Sequence, residues 1–276
     1  MGVPHRSDTK IREINSPGNP LLKVFRRALA EGTTREGLLA VEGPWLVEEA
    51  LNAAPRATVH SVLVGPSAAT KFAELLARLP QEAETACVPD RVFRQVAQTE
   101  TPQGIAALVE LHPGTLDAVL AGRDALLLVA CGVQDPGNMG TMLRTAQALG
   151  AAALLTLQET VSPFNPKAMR SSAGAIFKLP IFAGLEPGEL FPRLRSAYVR
   201  VVAADGRSPS PLSQADLTGR VAILIGREAS GLAPEVSREA HTLLSIPIRP
   251  GMDSVNAAIA ASIFLYEAAR QRGFKY

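Results

Sequence analysis

The chain is 276 residues long, 47% hydrophobic and 20% charged, with a formal net charge of +2. That apolar content fills one large core or two modest ones, but no apolar run approaches the roughly 20 residues that span a bilayer. The N-terminus, with His5, Arg6, Asp8, Lys10, Arg12 and Glu13, offers no apolar stretch for a signal peptide; Cys87 and Cys131 fit neither a disulfide framework nor a metal-ligand spacing, so the chain reads as cytosolic.

Residues 1–35 hold Arg6, Lys10, Arg12, Lys23, Arg26, Arg27 and Arg35 against Asp8, Glu13 and Glu31. A basic arm of this kind neutralises phosphates, releasing counterions at each contact; a solvated terminal helix has the same pattern. Asn19–Ala30 reads as a helix, Leu38–Val41 as a strand, and Pro44–Asn52 as a helix with Pro44 in its first turn. Trp45, beside that helix start, is expected in the core. A strand at Ser61–Val64, helices at Ala68–Leu79 and Asp90–Ala97, and a strand at Ile105–Leu111 complete a small α/β unit. The pattern breaks at His112-Pro113-Gly114, which places a domain boundary near residue 115.

Beyond it, strand and helix alternate: strand Ala125–Val133, helix Met139–Leu149, strand Ala152–Leu157 and a helical turn at Pro166–Gly174. Strands follow at Lys178–Phe182, Val199–Ala204, Val221–Ile225 and Leu243–Ile246, and a last helix runs from Val255 to Arg272. Such alternation argues for a parallel sheet covered on both faces. Three of its junctions run from a buried-strand pattern through a Gly- or Pro-rich loop towards a helix, at Asp135–Ala146, Leu224–Leu232 and Ile246–Asn256. At the carboxyl ends of parallel strands, such loops build ligand pockets. Neither a G-x-G-x-x-G nor a G-x-x-x-x-G-K-[ST] is present, which argues against a dinucleotide or P-loop site.

These junctions resemble the three signature motifs of the SpoU (TrmH-type) branch of the SPOUT RNA methyltransferases. The first is matched by Asn138, Arg144-Thr145-Ala146 and Gly150, and the second by Gly226, Glu228, Gly231 and Leu232. The third is matched by Ile246-Pro247 and Ser254-Val255-Asn256. Two positions depart from the pattern: Ala229 stands where a Gly is usual, and Val255 where a Leu is usual. Upstream, Glu42-Gly43-Pro44 and Thr101–Ala106 resemble the family's N-terminal RNA-binding domain.

The resemblance implies an α/β protein of two parts. A ribosomal-protein-like RNA-binding domain spans residues 1–115, and a methyltransferase domain with a parallel sheet and a deep trefoil knot spans 116–276. It implies S-adenosylmethionine as methyl donor, a ribose 2′-hydroxyl of structured RNA as acceptor, and no metal. Ribosomal RNA is favoured over transfer RNA because of the added N-terminal domain. A homodimer through the C-terminal domain would bring an arginine at the Arg144 position towards the partner's cofactor. Gly226, Ile246 and Val255 fall at the cofactor-contact positions, and Met252 is a further candidate for the adenine wall. Arg144 lies off the apolar stripe of Met139, Met142, Leu143, Ala146 and Leu149 and is the expected catalytic arginine, with Asn138, Glu228, Ser254 and Asn256 completing the constellation. Within it, Glu228 is expected to bond the Asn138 side chain or neighbouring loop N–H groups, and Ser254 to cap the last helix. Ser162–Gly174 resembles the segment bordering the RNA cleft, with Lys167 and Arg170 as phosphate contacts beside Arg26 and Arg27 of the basic arm. A noncatalytic RNA-binding protein on the same scaffold, and an enzyme that methylates a base nitrogen, remain as alternatives.

Overall fold

The computed structural model describes residues 11–228, 230–249, 251–252 and 254–275, and the chain divides between His112 and Pro113 into two units. Ala229, together with Arg6 and Lys10 of the basic arm, lies outside the described residues.

The first unit runs β1 (Ile11–Glu13), α1 (Pro20–Glu31), β2 (Leu39–Glu42), α2 (Pro44–Asn52), β3 (Ala57–Val64), α3 (Pro66–Lys71), α4 (Ala73–Leu76), β4 (Glu84–Cys87), α5 (Asp90–Val96) and β5 (Ile105–Leu111). Its sheet has the order β1-β4-β3-β5-β2, with β5 antiparallel to both neighbours and the remaining pairs parallel. Helix α1 starts where the Asn19 side chain accepts from Leu21 N–H and Pro20 supplies a preset φ; it ends at Gly32, whose φ of 96° suits only a residue without Cβ. Leu22, Phe25, Ala28 and Leu29 form its apolar stripe, which packs with Val92, Phe93 and Val96 of α5 against one face of the sheet.

The second unit runs α6 (Leu116–Leu120), β6 (Leu126–Ala130), α7 (Pro136–Ala148), β7 (Ala153–Leu157), α8 (Pro166–Ser171), α9 (Ala175–Lys178), β8 (Ile181–Leu185), α10 (Pro187–Ser196), β9 (Arg200–Ala204), β10 (Val221–Ile225), α11 (Pro234–Ser237), β11 (Thr242–Leu244) and α12 (Ala257–Gln271). Its six strands pair in the order β11-β9-β10-β6-β7-β8, every pair parallel. Every residue of β6, β7 and β10 is buried, as expected of strands covered on both faces. The chain winds from β6 through β7 to β8, then returns to place β10 on the other side of β6. Ligands of open parallel sheets bind at such a reversal.

Several elements differ from the sequence expectation. The helix expected at Ala68–Leu79 breaks at Phe72, whose φ of −112° and ψ of 30° leave the helical region. The strand expected at Lys178–Phe182 begins at Ile181, because Lys178 closes α9 and Pro180 has no N–H for the ladder. The strand expected at Leu243–Ile246 is Thr242–Leu244. Strands β1 and β4 escaped notice; β1 is three exposed residues, with no apolar alternation to betray it. Trp45 is 48% exposed rather than in the core.

Candidate functional site

The loops at the carboxyl ends of β6 and β10 meet at the sheet's reversal point. On the β6 side, Asp135 caps α7 by accepting from Asn138 N–H at 2.8 Å. That bond, with Lys167 Nζ 3.4 Å away, holds the Asp135 carboxyl below the ordinary aspartate range. Helix α7 then packs tightly on α8, since a Cβ at Gly140 would sit 2.5 Å from the Ala168 carbonyl oxygen and 2.4 Å from Ser171 Cβ.

On the β10 side, Arg227 and Gly231 pair with one another. Arg227 N–H donates to Gly231 O at 2.9 Å, and Gly231 N–H returns the bond to Arg227 O at 3.1 Å. Gly226 makes this closure possible: a Cβ there would lie 2.3 Å from the Gly231 carbonyl carbon and 2.5 Å from Leu232 N. Its missing side chain therefore leaves room for its own loop. The Arg227 side chain crosses Gly132 and its Nη2 donates to Glu159 Oε2 at 2.7 Å, fastening the loop to those after β6 and β7.

A chain of side-chain hydrogen bonds ties the three motifs together. Asn138 Nδ2 donates to Glu228 Oε1 at 2.7 Å, and Asn256 Nδ2 donates to Asn138 Oδ1 at 3.0 Å. The same Asn256 caps α12, its Oδ1 accepting from Ala258 N–H at 2.9 Å and Ile259 N–H at 3.3 Å. The cap is thus Asn256 and not Ser254, and the helix starts at Ala257 rather than Val255. Behind this row, Ser262 Oγ lies 3.2 Å from Thr145 Oγ1 and donates to Ala258 O, where α12 packs on α7.

Beside the network opens a cavity of about 330 Å³, within the usual range for small-molecule sites. Its apolar wall includes Leu232, Ile246, Ile248, Val255 and Phe264, and its polar groups include Asp205, Glu228 and Ser254. Gly226, Ile246 and Val255 all line it, as do Glu228 and Ser254. Met252, 63% exposed, is not among the residues of the wall. Asn138 and Asn256 bound the network beside the cavity without lining it, and Arg144 is not on its wall either. Arg144 is exposed on α7, and no described residue hydrogen-bonds or ion-pairs with its guanidinium.

The residues expected to touch RNA are spread over both units. Arg170 is exposed on α8, and Lys167, one turn earlier, is paired with Asp135. In the first unit Arg26 Nε donates to Gln95 O at 3.2 Å, and Arg27 pairs with Glu31 at 2.8 Å along α1. No group of three or more His, Cys, Asp or Glu with metal-holding geometry occurs among the described residues. Sequence reasoning missed Asp135, Asp205 and Arg227. Asp135 was legible, as an Asp followed by Pro before an apolar period signals a helix start; Arg227 was not, because its partner Glu159 lies on another strand-end loop.

Residues 125–266 match the SpoU rRNA Methylase family, and residues 27–107 match the MRM3-like substrate binding domain. The chain is 32% identical to the 23S rRNA (uridine(2479)-2′-O)-methyltransferase of Streptomyces viridochromogenes, over 74% of this chain and 72% of the relative. It is 29% identical to the 23S rRNA (guanosine(2553)-2′-O)-methyltransferase RlmP of Bacillus subtilis, over 93% of this chain and 98% of the relative. Among solved structures, the SpoU methyltransferase AviRb of S. viridochromogenes in complex with AdoMet superposes with a TM-score of 0.83, at 28% identity over 94% of this chain and all of that one.

Proposed function

The chain belongs to the SpoU rRNA methylase family, and on that premise we propose that it transfers the methyl group of S-adenosylmethionine to a ribose 2′-hydroxyl of ribosomal RNA. The observation that carries the reading is the Asn256–Asn138–Glu228 chain, which joins three sequence-distant motifs at the rim of a cavity fit for the cofactor. That cavity offers an adenosyl group an apolar slot and strand-end backbone groups, with the Glu228 carboxylate on its wall for the positive sulfonium. The trefoil knot expected from the motifs belongs to this fold.

When bound, S-adenosylmethionine supplies an electrophilic methyl that needs no metal. The chain's own residues must hold the ribose oxygen in line with it, and positioning of this kind contributes several kcal/mol. Arg144 is the group we assign to the acceptor. A guanidinium stays charged in proteins at neutral pH and carries no lone pair free to take a proton, so it does not act as the base. Its guanidinium, without a partner among the described residues, orients the RNA and stabilises the developing alkoxide while the proton leaves to water. Asn138, braced from both sides, fixes the start of the helix that carries Arg144.

Residues 1–112 serve as the substrate-binding unit and residues 113–276 as the methyltransferase, acting in the cytoplasm. The active form is a homodimer through α12. Its Ile259 and Tyr266 are 50% and 54% exposed and, with half-buried Ile263, form a second apolar stripe away from the buried one. Arg144 stands off the cavity wall of its own chain, as a residue serving a partner's site would. Labelled-methyl transfer to ribosomal RNA tests both statements. Arg144→Ala should lower the single-turnover rate by about a hundredfold or more with cofactor affinity unchanged. Mixing Arg144→Ala with Gly226→Val subunits should restore activity to the inactive pair; no restoration on mixing, with subunit exchange verified, would count against a shared site.

A further inference from the structure

The only tryptophan of the sequence stands in the open. At 48% exposure its indole leaves a large aromatic face open to solvent. Trp45 is, moreover, presented by a braced turn. Just before it, Gly43 adopts a φ of 100° and donates its N–H to Ile105 O at 2.9 Å, and Pro44 fixes the next φ. The Glu42 carboxylate accepts from Gln98 N–H at 2.8 Å and from Thr99 N–H at 3.3 Å, with the Thr99 hydroxyl as a further donor.

These bonds place a polar loop with exposed Gln98, Glu100, Thr101 and Gln103 beside the tryptophan's turn. The loop follows α5, and Arg26 of the basic arm is anchored at the end of that helix through Gln95 O. One rim of the first unit therefore carries an exposed indole, amide and hydroxyl groups, and an exposed arginine. Glu48, a turn beyond Trp45, is neutralised by Arg78 at 2.8 Å. We propose that Trp45 stacks on an unpaired base of the RNA substrate, with the loop after α5 and Arg26 contacting the same strand's backbone. A fixed aromatic face recognises single-stranded RNA through any base, and loses little conformational entropy on binding. The proposal rests on the reading of residues 1–112 as the substrate-binding unit and names the contact by which that unit would hold unpaired RNA.

The single indole makes the full-length protein its own reporter. Titrated with single-stranded oligoadenylate, Trp45 emission should be quenched with the same midpoint as the anisotropy change of a labelled oligoadenylate. A fully paired RNA duplex should bind without quenching. Trp45→Ala should weaken oligoadenylate binding by roughly 5- to 140-fold, leave duplex and S-adenosylmethionine affinity unchanged, and be largely rescued by Trp45→Phe. Unaltered emission during a binding titration, or equal oligoadenylate affinity in Trp45→Ala, overturns the stacking role. Arg26→Glu separates the two levels. If it weakens RNA binding while Trp45→Ala does not, only the stacking contact fails; if neither matters, the substrate-binding reading of this unit fails with it.

Discussion

Gly226→Ala adds one methyl group at the floor of the cofactor loop, and its consequence follows from the loop's closure. The new Cβ would lie 2.3, 2.5 and 2.5 Å from Gly231 C, Gly231 O and Leu232 N, all backbone atoms that cannot rotate aside. Gly226 has no positive φ, so alanine suffers no intrinsic backbone strain there and the clash is the whole perturbation. Relief requires the loop to open, breaking both hydrogen bonds between Arg227 and Gly231. Two such bonds are worth about 2 kcal/mol together, which corresponds to a loss of about 30-fold in cofactor affinity if the closed loop is the binding form. Isothermal titration of the variant with S-adenosylmethionine measures this directly, with circular dichroism to verify the fold. An affinity within threefold of the unsubstituted protein, at about 0.6 kcal/mol, would refute the argument that closure builds the site.

Further outcomes separate the roles assigned to other residues. Asn256→Ala should lower both stability, by about 1 kcal/mol from the lost helix cap, and the methylation rate, whereas Asn256→Asp should keep the cap and lose the rate because it cannot donate to Asn138; thermal melts and single-turnover assays read the two effects apart. Burial holds the Cys131 thiol far above its ordinary value, so its proton is bound more tightly in the folded chain. Its contribution to stability is complete below pH 9.0 and is lost as pH rises beyond that value, a fall that denaturant melts should show and Cys131→Ala should flatten. A chain beginning at Pro113 should fold around its own core, bind S-adenosylmethionine and lose most of its RNA affinity, as calorimetry and filter binding would show.

Much of the second unit was legible because β6, β7 and β10 are buried on both faces and so read as unbroken apolar runs. The bond between Asn138 and Glu228 could be anticipated only because the motifs fixed which loops meet; no periodicity connects residues 90 positions apart. The local chemistry was harder. Both Ser254 and Asn256 are good helix caps, and the choice between them depends on where the chain leaves the cavity to enter α12. Gly226 was placed at a cofactor-contact position by its motif, but that a Cβ there would strike the returning backbone at Gly231 was not legible. Trp45 was misplaced because an apolar residue beside a helix start is ordinarily covered, and whether anything covers it is a property of tertiary structure. Strand β1 failed for the opposite reason, since its three side chains are all exposed and it meets β4 through backbone pairing and one surface ion pair, Arg12 with Glu84.

The central claim is ribose methylation of ribosomal RNA. Its most direct test is to incubate the purified protein and S-adenosylmethionine with ribosomal RNA from cells lacking the gene, digest the RNA to nucleosides, and analyse them by mass spectrometry. The account predicts a single new 2′-O-methylnucleoside, its added mass on the ribose fragment and its formation abolished by Arg144→Ala. A methyl group on the base fragment, or none on RNA that the protein demonstrably binds with cofactor present, would contradict it.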